Sequence, residues 1–116
     1  ETLVAITVGV EVNMAPVAVQ DIYTLRIGLT LNVAAPGILA NDFDVNDDPF
    51  TAELGSSVTH GHLSFHTDGS FTYNPDDGFV GMDQFTYRAF DGELYSPLTT
   101  VTIKVFLISL MPLISK

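Results

Sequence analysis

The stretch NDFDVNDDPF, positions 41–50, places four carboxylates, Asp42, Asp44, Asp47 and Asp48, within seven residues. Two like charges 4 Å apart repel by about 1 kcal/mol in bulk water and by about 4 kcal/mol near a protein surface. Full hydration or a bound cation must offset that repulsion. Asp42, Asp44, Asn46 and Asp48 sit at alternate positions and offer hard oxygen donors, which suit calcium far better than a transition metal. Asp21, Asp83 and Asp91 complete a coordination shell if the fold gathers them at the same end of the molecule. The candidate calcium ligands are therefore Asp42, Asp44, Asn46 and Asp48, with Asp21 and Asp91 as the further members. The plain alternative is a solvated acidic turn, because Asp and Asn are ordinary turn residues.

With Asp42 as the first position Glu53 falls at the twelfth, the spacing of a helical calcium loop. That reading fails: the sixth position carries no glycine, Pro49 removes an amide at the eighth, and neither flank has helical periodicity. His60, His62 and His66 share strand parity and offer three imidazoles, but His66 lies about 13 Å from His62 at strand rise, too far for one ion. They read as surface histidines. Asp76 and Asp77 sit side by side on a turn and diverge, which leaves no acid–base pair. No nucleophile elbow, phosphate loop or metalloprotease pattern occurs, so no enzymatic activity is expected.

Lys and Arg total 4 against 14 Asp and Glu, a net charge of −10. So few cations give nothing with which to grip a phosphate backbone or an anionic membrane surface, which excludes nucleic acid as a partner. A cation is the natural counterpart. The absence of cysteine rules out disulfides, thiolate zinc sites and cysteine nucleophiles. The apolar run FLISLM is too short to cross a bilayer. Residues 1–14 lack the basic start and apolar block of a signal peptide, so export is expected to be directed from outside this segment.

The elements that must position the acidic residues are strands. VAITVGVEV alternates Val4, Ile6, Val8, Val10 and Val12 against smaller or polar residues, a half-buried strand. Further strands are predicted at about 17–24, 28–34, 50–55, 61–66, 70–73, 83–90 and 98–106. PGILAN has room for a single helical turn. Asp68-Gly69 and Asp91-Gly92 supply tight turns. Parity turns Leu63, Phe65, Phe71 and Tyr73 inward, and likewise Phe85, Tyr87, Ala89, Val101, Ile103 and Val105. This pattern predicts one antiparallel β-sandwich. TLVAITV (2–8) and TTVTIKV (99–105) also share Thr, Val, Ile and Val at one spacing, offset by 97 residues. That period equals one sandwich domain, so the first strand reads as the closing strand of a preceding copy.

Residues 15–105, carried by APVAVQDIYTL, LTLNVAAPGILANDFDVNDDPFTAEL, HGHLSFHTDGSFTYNPDDGFVGMDQFTYRAFDGELYS and TVTIKV, resemble the bacterial cadherin-like, Ig-like tandem repeat of large surface and secreted proteins. The resemblance implies an all-β, antiparallel Greek-key sandwich of about seven strands, an extracellular location, calcium held weakly at acidic loops and joins, and neighbouring repeats as partners. It departs from the family at Asp47, where glycine is usual, and at Met14, where an Asp ligand is usual. Residues 1–14 are then the closing strand and linker of a preceding repeat, 15–106 the repeat itself, and 107–116 an apolar tail or altered linker. The expected function is a non-catalytic stalk, spacer or adhesion module that also meets cell-surface proteins or glycans. The alternative is a carbohydrate- or protein-binding accessory module of a secreted enzyme, with Phe43, Phe50, Phe79 and Tyr95 as its aromatic platform. A third possibility is association through the apolar strand 2–12.

Overall fold

The computed structural model describes residues 11–107, and the strand expected at 4–12 falls mostly outside that range, as does the tail beyond residue 107. Seven strands form in chain order: β1 (Asp21–Arg26), β2 (Leu31–Val33), β3 (Thr51–Leu54), β4 (Gly61–Phe65), β5 (Phe71–Pro75), β6 (Gly81–Phe90) and β7 (Thr99–Phe106). They build a four-stranded sheet ordered β1-β7-β6-β3 and a three-stranded sheet ordered β2-β5-β4. This is the all-β sandwich that the alternating pattern demands: the chain changes sheet at each step from β1 to β4 and again from β5 to β6, while β4–β5 and β6–β7 stay within one sheet.

The alternation can be followed residue by residue. In β7, Thr99, Val101, Ile103 and Val105 are buried while Thr100, Thr102, Lys104 and Phe106 face outward. In β6, Asp83, Phe85, Tyr87 and Ala89 take the inward positions. Phe71, Tyr73, Phe85, Tyr87, Ile103 and Val101 are essentially sealed from solvent, with Leu63 and Phe65 packed against them. Edge-to-face contacts run from Tyr23 to Phe71 to Phe85, with ring centroids 5.3 Å apart at each step. Each large apolar side chain buried in this way contributes about 1.5–3 kcal/mol.

Every strand pair is antiparallel except β1 with β7, which run parallel in the register Asp21 opposite Val101 to Arg26 opposite Phe106. First and last strands share a direction because the chain enters at one pole of the sandwich and leaves at the other. The upstream pole holds the approach to β1, the loop between β2 and β3 and the turn after β6. The downstream pole holds the ends of β1 and β7.

PGILAN makes the expected single turn, a 3-10 helix at Gly37–Leu39. It rests on the β4–β5 hairpin so closely that a side chain on Gly69 would stand 2.0 Å from the Pro36 carbonyl oxygen. Gly69 also has φ +89°, the left-handed conformation that a tight hairpin needs. Ile38 donates its N–H to the Gly69 carbonyl at 3.1 Å, and its side chain is fully buried. The acidic loop leaves this anchored turn at Ala40.

Candidate metal centre at the upstream pole

From Asn41 to Phe50 the loop keeps a strand-like alternation. Asp42, Asp44, Asn46, Asp48 and Phe50 turn inward, and Asn41, Phe43, Val45, Asp47 and Pro49 turn outward. Asp44 is only 7% exposed and folds the loop about its own side chain. Its Oδ1 accepts the Asn46 N–H at 2.9 Å and the Asp48 N–H at 3.2 Å, and its carbonyl accepts the Asp47 N–H. Asp47, where glycine was expected from the resemblance, adopts the left-handed φ of 60°. Asp is among the few non-glycine residues that tolerate that conformation.

Asp44, Asp48 and Asp91 each present a carboxylate oxygen, and these oxygens lie within 4.8 Å of one another. That is about twice a calcium–oxygen bond length, the span of ligands around one ion. The Asp44 Oδ2 is buried and has no hydrogen-bond partner, and neither has the buried Oδ1 of Asn13. Asn13 is fixed beside the trio because its Nδ2 donates to Asp91 Oδ2 at 3.0 Å and to Glu93 Oε1 at 2.8 Å. A buried polar oxygen without a partner costs roughly 1–3 kcal/mol, so two of them beside three carboxylates describe a place shaped for a cation. The donor set is all hard oxygen, the chemistry that calcium prefers. The residues present fit that ion.

Electrostatics point the same way. Desolvation, and then the charges of Asp44, Asp91, Glu11 and Glu93, push the Asp48 carboxyl above its ordinary value. Asp91 is held below its ordinary value by the Leu94 N–H first, and further by the Glu93 N–H and the Asn13 amide, although desolvation opposes them. Among the described residues none of the trio forms a salt bridge, and Arg88 is committed to Glu53 at 3.3 Å.

The other expected ligands lie outside this trio. Asn46 grips the incoming chain: its Oδ1 accepts the Met14 N–H at 2.8 Å and its Nδ2 donates to the Val12 carbonyl at 3.1 Å. Asp42 is met by the Val19 N–H on Oδ1 and by the Tyr87 hydroxyl on Oδ2. Burial raises the Asp42 carboxyl against those two bonds. Burial and then the Asp42 charge push Asp21 up to about 6, opposed by Asn41, and the Asp21 Oδ2 is buried without a partner. Asp21 and Asp42 thus form a second acidic pair facing Tyr23 and Tyr87. Asp83 belongs to neither group. It stands eight residues before Asp91, about 26 Å along the strand at 3.3 Å per residue. Sequence reasoning did not assign Asn13, Glu93 or Glu11. The available signal was Asn13 itself, an oxygen donor one residue before Met14, at the join where the resemblance implies a ligand.

His60, His62 and His66 are exposed, and among the described residues no group of potential metal ligands includes them. The four aromatic residues considered as a sugar platform do not offer free faces together. Phe79 is stacked on His60 with centroids 4.5 Å apart, and Phe50 packs against the core. The Tyr95 ring is stacked with Phe90 at 4.3 Å and has the Arg88 guanidinium over it at 4.3 Å. Phe43 alone, 52% exposed, projects freely.

Comparison with known proteins places this architecture. The model of the bacterial cadherin-like domain matches residues 13–106, and the chain belongs to that family. No curated protein matches. Among solved structures, the chain is similar to a nucleoside hydrolase-related hypothetical protein from Saccharophagus degradans associated with carbohydrate metabolism. That match has 17% identity over 80% of this chain and 26% of the other, with a TM-score of 0.50. It is also similar to the endo-fucoidan hydrolase MfFcnA4 of glycoside hydrolase family 107, at 16% identity over 90% of this chain and 15% of the other, TM-score 0.59. A variant of that hydrolase matches with a TM-score of 0.57. The chain spans about a quarter or less of the length of these proteins, and the likeness is one of fold. Bacterial cadherin-like domains are generally non-catalytic and occur in extracellular proteins.

Proposed function

We propose that the chain is a calcium-stiffened, non-catalytic repeat of a large secreted or surface-exposed protein, serving as a stalk or adhesion module. The observation that carries this reading is the pair of buried, partnerless oxygens, Asp44 Oδ2 and Asn13 Oδ1, beside the carboxylates of Asp48 and Asp91. These residues come from three separate segments: the loop between β2 and β3, the turn after β6, and the chain leading into β1. A divalent cation held by Asp44, Asp48, Asp91 and Asn13 neutralises their mutual repulsion and ties the three segments to one point. The linker arriving from a preceding repeat then loses its hinge freedom, and a string of such domains behaves as a rod. Sites of this extracellular type bind calcium with a Kd of about 10⁻⁴ to 10⁻³ M. The test is thermal unfolding in millimolar calcium against chelator. A rise in Tm with calcium that saturates supports the role, and superimposable curves refute it.

The neighbours' association with polysaccharide enzymes favours a second reading, an accessory module that holds a glycan. The stacking of Phe79 on His60 and of Tyr95 on Phe90 weighs against it, since both rings already have an aromatic partner. Retention of the chain on an insoluble neutral polysaccharide, lost in Phe43→Ala, would restore it.

A further inference from the structure

The upstream pole presents an apolar collar around the acidic site, and we infer that this collar is the seat of the downstream pole of a preceding copy of the same kind of repeat. The inference rests on the tandem reading above and adds which surfaces meet.

The incoming chain is fastened to the acidic loop along its length. Asn46 holds Val12 and Met14, Val17 and Phe43 exchange both backbone hydrogen bonds at 2.7 and 3.1 Å, and Asp42 holds the Val19 N–H at 2.8 Å. These contacts engage Asn46 and Asp42 on the inner side of the loop, while Phe43 and Val45 face outward, with Asn41 and Asp47 at the same parity beside them. Val12 is 73% exposed, Met14 50%, Phe43 52% and Val45 61%. Because Asn46 bonds on both sides of Asn13 and Phe43 pairs with Val17, these four side chains belong to one surface. Lone exposed apolar residues are ordinary, but a contiguous group beside a polar site marks an interaction surface.

The sequence says what reaches it. At the 97-residue offset between TLVAITV and TTVTIKV, Val8 corresponds to Val105 and Gly9 to Phe106, where β7 ends. The fastened segment begins at Val12. Three backbone steps separate Gly9 from Val12, at most about 11 Å of chain. A preceding sandwich on so short a tether has its downstream pole pressed against the collar. This chain shows what such a pole looks like. Ile27 donates its N–H to the Phe106 carbonyl at 2.7 Å and Gly81 pairs with Val105, so Leu29 and Val80 flank the end of β7. Leu29 is 53% exposed, Val80 44% and Leu107 62%. Apolar surface faces apolar surface across the join, next to the cation site.

The experiment joins two copies at their own period, residues 1–105 followed directly by residues 9–116. The chain has no cysteine, so Ser64→Cys on the exposed face of β4 in each copy gives two spin-label sites. Distances between them are measured by double electron–electron resonance in calcium and in excess chelator. The expected result in calcium is one narrow distance peak, lost when the downstream copy carries Phe43→Ser with Val45→Ser. Leu29→Ser with Val80→Ser in the upstream copy strips the opposing surface and is expected to abolish the same peak. A circular dichroism melt confirms that each variant is folded. If chelation broadens the peak while both variant pairs keep it narrow in calcium, the metal alone holds the join, and the collar inference fails while the stalk reading stands. If the unaltered tandem is broad in calcium and chelator alike, both fail.

Discussion

Asp83 and Asp44 occupy the two ends of one sandwich, are 3% and 7% exposed, and have opposite surroundings. Both oxygens of Asp83 are used: Oδ1 accepts the N–H groups of Thr59 and Gln84, and Oδ2 accepts the His60 N–H and the Tyr73 hydroxyl, all within 3.0 Å. Burial alone would raise its carboxyl, but these four donors hold it below the ordinary carboxylate value. Asp44 satisfies one oxygen through the loop it folds and leaves the other with nothing. A buried carboxylate with every lone pair met is a structural lock. One left half-met, with two more carboxylates and an idle amide oxygen beside it, is the candidate cation site. Sequence position does not separate the two roles; the donors supplied by the surrounding backbone do.

The comparison is broken most forcefully at Asp83. In Asp83→Ala, three backbone N–H groups and the buried Tyr73 hydroxyl lose their acceptor, and stability is expected to fall by about 3 kcal/mol in urea unfolding. The increment expected from calcium should survive unchanged, since the proposed cation site is at the other pole. If Asp83→Ala removes that increment, the two aspartates do not play separate parts.

Asp44→Asn is expected to do the reverse. The new amide oxygen still accepts from Asn46 and Asp48, and the negative charge is gone, so in chelator the variant should lie within about 1 kcal/mol of the parent. In the parent, the proposed site predicts that calcium at a hundredfold excess over Kd should add about 2.7 kcal/mol. In Asp44→Asn most of that gain should vanish, read as a flat Tm against calcium concentration. A parent-sized gain in the variant would remove Asp44 from the site.

How much of this was legible beforehand follows from the kind of signal each part leaves. Strands show as alternation, and β5, β6 and β7 carry it so plainly that Tyr73, Phe85, Val101 and Ile103 were placed inward from parity alone. The same period of two runs through Asp42, Asp44, Asn46 and Asp48, which is why all four were grouped. The grouping by position was coarser than the geometry. A loop at a sandwich pole bends, so inward residues two apart meet different neighbours: Asp42 reaches Tyr87, Asp44 meets Asp91, and Asn46 turns to the linker. Which neighbours those are depends on pairings across 32 residues or more, and no local pattern encodes them. Asn13 went unassigned for the same reason: only its place at the join hinted at a role, and it lies 78 residues from the Asp91 it bonds.

The second acidic pair gives a smaller effect with a definite sign. Asp21 has its carboxyl raised to about 6 in the folded chain, against an ordinary value of about 3.9. The folded state therefore holds this proton more tightly than the unfolded state. The associated stability is fully present below pH about 4 and is lost as pH rises through about 6. The side chain is partly exposed, so solvent screening reduces the effect to about 1 kcal/mol. Asp21→Asn should raise stability at pH 7 by about that amount and flatten this part of the profile relative to the parent. Taking the difference between the two proteins cancels the contributions of Asp83 and Asp91, whose lowered values make stability rise with pH. A difference that does not change between pH 4 and pH 7 would leave Asp21 without a role in the profile.

The least change is expected at a third carboxylate, Glu53, which sharpens the contrast because it is neither locked nor idle. Its Oε1 meets the Arg88 guanidinium at 3.3 Å, with the two side chains 48% and 42% exposed. Water screens such a pair, and its worth is about 0.2–1 kcal/mol, with a comparable share from Arg88 lying over the Tyr95 ring. Arg88→Ala is thus expected to cost less than about 1 kcal/mol, with no change in the calcium increment and a smaller cost at high salt. A penalty approaching that of Asp83→Ala would mean that the guanidinium holds the Phe90–Tyr95 stack in place and acts through packing. The salt series separates the cases, because a packing loss persists at high ionic strength and a screened charge pair does not.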